Sequence, residues 1–136
     1  MTSQLNVDTI KGKTAETSIS IQGEGSATTN LQQGLSKVWF HFNGQDNTYR
    51  DSFNISGVTD NGTGDFTHNF TNSMGNDDFA LTEASSGTSI DGTNAYAMYY
   101  DGGEATTSSV TSRHRTENGT NLDVKYIMGM VAGDLA

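Results

Sequence analysis

Three histidines, His41, His68 and His114, are the side chains best suited to move protons near neutral pH, and they lie far apart in the sequence. No cysteine accompanies them, and no serine sits in a G-x-S-x-G elbow. His68 alternates with Phe66 and Phe70, which predicts a core or interface histidine. His41 shares a parity with Lys37 and Trp39, which predicts a partly exposed one. Sixteen acidic residues offer many carboxylate pairs. A glycosidase needs two of them about 5–10 Å apart in a cleft, and adjacent Asp77 and Asp78 read as a solvated loop instead. The run D-N-G-T-G-D at 60–65 has oxygen ligands at alternate positions, as a calcium loop would. It lacks the bidentate Glu that closes an EF-hand, and a hairpin turn explains it with fewer assumptions. These residues predict no catalytic centre, no metal site and no cofactor.

Two stretches suit recognition better. A-Y-A-M-Y-Y-D at 95–101 brings Tyr96, Tyr99 and Tyr100 together, and tyrosine supplies flat amphipathic contact area with little entropy to lose. Arg113, His114 and Arg115 form the only basic concentration in an acidic chain. That cluster could meet an acidic group on a host surface glycan, or a carboxylate of the same chain or a neighbouring subunit.

The elements that must position these groups are strands. Val38, Phe40 and Phe42 alternate with Lys37, Trp39 and His41, the period of a half-buried strand. Strands are predicted near 37–42, 49–56, 65–71, 78–83, 95–101, 106–114 and 121–132, separated by polar turns. In 49–56, Asp51, Phe53 and Ile55 are read as one face. In 121–132, Leu122, Val124, Tyr126, Met128 and Met130 form one face; the other is also partly apolar, which predicts a central strand or one against a neighbouring subunit. Residues 31–35 are the only stretch suited to a turn of helix. The fold class expected is all-β: an antiparallel β-sandwich or small barrel with a short extended N-terminal β arm. The arm is residues 1–34, with short strands at 4–10 and 18–22, and the β-sandwich domain is residues 35–136. Leu5, Val7, Ile10, Ile19 and Ile21 are isolated aliphatics in the arm. They suit anchoring or oligomer contacts, the alternative being a disordered arm.

The composition points the same way. The chain has 136 residues, only 32% of them hydrophobic, with 16 Gly and no Cys. So small and polar a chain has little core to set against its conformational entropy. With disulfides excluded and zinc ligands sparse, oligomerisation is the remaining support. Proline is absent, so edge strands lack one common guard. The net charge is −9, and no Lys or Arg falls between Arg50 and Arg113. That argues against nucleic acid and against anionic membrane surfaces as partners. No apolar run reaches the ~20 residues of a membrane span, and the first residues lack the pattern of a secretory signal.

K-V-W-F-H-F-N-G at 37–44, R-D-S-F-N-I-S at 50–56 and D-N-G-T-G-D-F at 60–66 resemble a module of bacteriophage tail-fibre and related virion fibre proteins. L-N-V-D-T-I at 5–10 is similar to a short motif that often precedes such modules, and D-V-K-Y-I-M-G-M-V-A-G-D at 123–134 to their last strand. Residues 91–117 are poorly covered, and Gly75 follows Met74 where family members commonly carry Pro. The resemblance implies a non-enzymatic virion structural protein, made in the host bacterial cytoplasm: a short homotrimeric tail fibre serving virion assembly and host attachment. Its partners would be itself, other tail or capsid proteins and a host surface glycan. A capsid decoration or head fibre is the alternative, and a glycan-degrading enzyme a more distant one.

Overall fold

The computed structural model of the chain describes residues 7–12, 19–22, 28–31, 34–86, 96–99, 105–116 and 118–136. Among them every regular element is a strand, and the described residues of 31–35 form no helix. The chain divides into two units, Met1–Leu35 and Ser36–Ala136.

In the first unit, β1 (Ser20–Gln22) and β2 (Thr28–Asn30) form an antiparallel pair, closed by a bond from Leu31 N to Ile19 O of 2.9 Å. The strand expected at 4–10 is absent over its described residues, 7–10. Val7 and Ile10 are exposed, and Ile19 is half-buried. Leu5 lies outside the described residues, and Ile21 is defined only as the position paired with Thr29.

The second unit holds β3 (Val38–Asn43), β4 (Thr48–Phe53), β5 (Ile55–Gly62), β6 (Asp65–Phe70), β7 (Ala80–Ser86), β8 (Tyr96–Tyr99), β9 (Ala105–Thr106), β10 (Ser109–Thr116) and β11 (Tyr126–Ala132). One sheet runs β4-β3-β11-β7. The other runs β5-β6-β10-β8, with β9 added on β10. All pairings are antiparallel. No pairing among the described residues joins one sheet to the other, so the unit is an open β-sandwich and not a barrel.

The core is the inward parity of these strands. Val38, Phe40 and Phe42 of β3 meet Phe66 and Phe70 of β6, Val110 of β10, and Ile127 and Val131 of β11, all buried. Phe42 and Phe66 pack edge to face with centroids 5.2 Å apart. β11 is central, between β3 and β7, and Gly129 lies under the Phe40 ring, where a Cβ would overlap the ring atoms.

Three expectations need correction. The strand drawn over 49–56 is two strands in different sheets. Asn54 takes a left-handed φ of 59°, its Oδ1 accepts from Asn72 N at 2.8 Å, and its Nδ2 donates to Lys37 O at 3.1 Å. This corner turns the chain from one sheet into the other, so exposed Phe53 and half-buried Ile55 do not share a face. The strand drawn over 121–132 begins only at Tyr126. The preceding residues follow no strand alternation, so Val124 is buried while Met128 and Met130 point outward. Lys37, expected beside Trp39 on the outer face, is buried at the entry to β3, where its N–H donates to Val131 O at 2.9 Å.

Candidate functional site

The groups that could do chemistry meet between the two sheets. Tyr49 of β4 and Glu83 of β7 reach inward from one side, and His68 of β6 with Ser112 and His114 of β10 from the other. Ser112 and His114 share a face because they are two apart on one strand. Glu83 shares an inward parity with Leu81 and Ser85, each half-buried while Ala80, Thr82, Ala84 and Ser86 are exposed. The Phe40 ring stacks on His68 at 4.1 Å, and the Phe66 ring lies 6.2 Å from that of His114.

One assignment of protons satisfies the chain of contacts. Tyr49 Oη donates to His68 Nδ1 (2.6 Å), His68 Nε2–H donates to Ser112 Oγ (3.2 Å), and Ser112 Oγ–H donates to His114 Nε2 (3.1 Å). Glu83 Oε1 lies 3.3 Å from the same His114 Nε2, with both side chains sealed from solvent. Among the described residues, neither Glu83 oxygen has a hydrogen-bond partner, and His114 Nδ1 has none. Burial sets the charge state. It pushes the Glu83 carboxyl up to about 8 and His114 down to about 4. His68 falls to about 3, by burial first and then by His114. Burial also raises the Tyr49 hydroxyl above its ordinary range. Near neutral pH all four are uncharged.

This is not the geometry of a nucleophilic triad. In a triad the acid holds Nδ1 of the histidine and the serine faces Nε2; here Glu83 and Ser112 both face Nε2 and Nδ1 is left over. Ser112, His68 and His114 are all buried. What the arrangement does is bond β4 to β6 across the two sheets, through Tyr49 and His68, and β6 to β10, through His68 and Ser112, in a dry interior.

No family model, curated protein or solved structure matches the chain.

Of the residues singled out for recognition, the structure describes the side chains of Arg113, His114 and Arg115. His114 is buried, so the Arg113–His114–Arg115 cluster does not present itself whole; the strand period turns the middle residue inward. Arg113 Nε donates to Asp65 Oδ2 at 2.8 Å, the intrachain kind of partner, and Arg115 Nε to Asn121 Oδ1 at 2.9 Å. Tyr96 and Tyr99 are strand positions opposite Thr116 and Arg113, and Tyr100 lies outside the described residues. The run at 60–65 is a hairpin tip. Asp60 Oδ1 accepts from Gly62 N (2.9 Å), Asp60 Oδ2 from Asn47 Nδ2 (2.7 Å), and Asp65 Oδ1 from Asn61 Nδ2 (3.1 Å). Gly64, at φ 69°, lies so close to the chain around it that a Cβ would meet His114 O of β10 at 2.5 Å and Leu122 N at 2.8 Å. His41 is half-buried, its ring 5.9 Å from that of Tyr126, and its Nε2 has no hydrogen-bond partner among the described residues. Asp77 and Asp78 are exposed. The sequence reading missed Glu83 and Ser112. The signals were there: an acidic residue at an inward position of an alternating strand, and S-x-H spacing on another.

Proposed function

We propose that this protein is a non-enzymatic structural component of a bacteriophage virion, a short homotrimeric tail fibre involved in assembly and host attachment. The observation that carries the reading is the use made of the residues behind the resemblance. Val38, Phe40 and Phe42 supply core, Asn54 turns the chain between sheets, and Asp60 through Asp65 form the hairpin tip. They build a scaffold, and a scaffold module is what the resemblance concerns. The groups with catalytic potential are enclosed in that scaffold and uncharged near neutral pH, which favours a contact role over catalysis.

Location tests it. Particles purified from the phage that encodes the chain should contain it by mass spectrometry, and gold-labelled antibody should mark the tail. Label on the capsid would make it a head fibre instead. Absence from particles whose other structural proteins are all detected would overturn the reading. Cleavage of host polysaccharide by the purified chain would move it to the enzymes.

A further inference from the structure

The two outer faces of the sandwich differ in kind. On the β5-β6-β10 side, Thr59, Thr67 and Thr111 lie in one row across the strands. Thr67 and Thr111 hydroxyls meet at 2.7 Å, Asn69 Nδ2 donates to Thr59 Oγ1 at 3.1 Å, and Asp65 pairs with Arg113. That face is polar and internally bonded, with Thr59 exposed and Thr111 buried. On the β4-β3-β11-β7 side the corresponding row is Phe53, Trp39, Met130 and Thr82, each directly opposite the next. Phe53 is 51% exposed, Trp39 37% and Met130 52%, and Met128 in the next row 43%. The outward positions of β7 are Ala80, Thr82, Ala84 and Ser86, with no bulk and no charge. Contiguous apolar side chains on one face of an otherwise polar chain mark a contact surface.

Charge says what kind. The chain carries −9, so copies repel one another through most approaches. Among the described strand residues that point outward on this face, the only carboxylate is Asp51, beside Arg50 on β4. At the same end, the Arg50 guanidinium lies 5.1 Å and the Lys125 ammonium 5.7 Å from the Tyr126 ring. The face therefore combines an apolar centre with a cationic end, Arg50 and Lys125, complementary to the carboxylates of an acidic neighbour. Its extent is that of a contact patch: four strands about 4.8 Å apart and about six residues long cover roughly 350 Å² of plane, the few hundred Å² at which contiguous surface patches mark interaction sites.

We propose that the outer face of β4-β3-β11-β7, centred on the row Phe53–Trp39–Met130, is the surface through which copies of this chain associate. This rests on the homotrimer of the proposed function and assigns it a surface. Sedimentation velocity of the full chain at about 50 µM, a concentration that populates complexes with micromolar dissociation constants, compares the unaltered protein with Met130→Glu and Phe53→Glu. Thr59→Glu on the opposite face is the control. The unaltered chain and Thr59→Glu should sediment at three times 14.5 kDa. Both face variants should sediment as monomers, with far-UV circular dichroism unchanged because the substituted side chains are exposed. In the unaltered chain, Trp39 emission should shift to the blue as rising concentration brings on assembly. Assembled face variants, or assembly that leaves Trp39 emission unchanged, would overturn this surface while leaving the homotrimer standing. An unaltered chain that stays monomeric overturns both. So does a monomer that instead co-sediments with phosphatidylcholine vesicles, which would make the face a lipid contact.

Discussion

Glu83 is the residue whose chemistry is most at odds with its surroundings, and its consequence is a stability that depends on pH. Its folded value, about 8, lies above the ordinary carboxylate value of 4.5. Its contribution is therefore full below about 4.5 and is lost as pH rises through 8. His68 and His114 act the other way, with folded values of about 3 and about 4 below the ordinary 6.5. Their contribution is full above about 6.5 and is lost as pH falls through those values. Two groups outweigh one between pH 4.5 and 6.5, so stability should rise to a maximum near pH 6.5. It should then fall by about 2 kcal/mol by pH 8, at 1.36 kcal/mol per unit for one proton. Urea midpoints from pH 5 to 9 measure this. Glu83→Gln should abolish the alkaline fall and steepen the acid limb, because the two histidines then act unopposed. An alkaline fall of the same size in Glu83→Gln would assign it to some other group.

At the scale of the element, two devices make the sandwich from its strands. The first is the corner at Asn54. A left-handed backbone costs an ordinary residue about 1–2 kcal/mol, and the Asn54 side chain adds bonds to Asn72 N and Lys37 O. Asn54→Ala should lower stability by about 2–3 kcal/mol and Asn54→Gly by less, because glycine keeps the conformation and loses only the bonds. Equal costs in urea unfolding would mean that the backbone does not decide the corner. The second device is the gap at Gly129, filled by the Phe40 ring. Phe40→Ala should cost about 3–5 kcal/mol and Gly129→Ala about 1–3 kcal/mol by overpacking. In the Phe40→Ala background the Gly129 substitution should cost much less, since the ring it would strike is gone. Additivity in that double-mutant cycle would refute the pairing.

For the whole molecule, the question is how much of the chain the sandwich requires. Strands β3 to β11 satisfy one another within two sheets, and the core residues all belong to the second unit, Ser36–Ala136. A protein starting at Ser36 should therefore keep the β-type circular dichroism of the full chain and unfold in one cooperative transition. Its light scattering divides two roles. If the outer sheet face joins the copies, the truncated protein remains an oligomer at high concentration. If the aliphatic residues of 1–34 join them, it becomes a monomer. Truncation that unfolds the protein would make the first unit part of the sandwich.

Much of the fold was legible because a strand's period of two puts its pattern directly into the sequence. Val38, Phe40 and Phe42 against Trp39 and His41, and Phe66, His68 and Phe70 against Thr67 and Asn69, could be assigned to faces with no partner in view. The hairpin at 60–65 was equally readable, since positive φ at Gly62 and Gly64 selects residue types locally. Tertiary structure decided what depends on partners distant in sequence. Whether 49–56 is one strand or two rests on Asn72 and Lys37, which hold Asn54 from elsewhere in the chain. Which face of 126–132 is buried rests on the Phe40 ring needing the space at Gly129, since Met128 and Met130 are as apolar as Ile127 and Val131. The polar chain was least visible of all. His68 and His114 could each be placed on a strand, but Glu83 and Ser112 acquire their roles only where two sheets close over them and water is excluded.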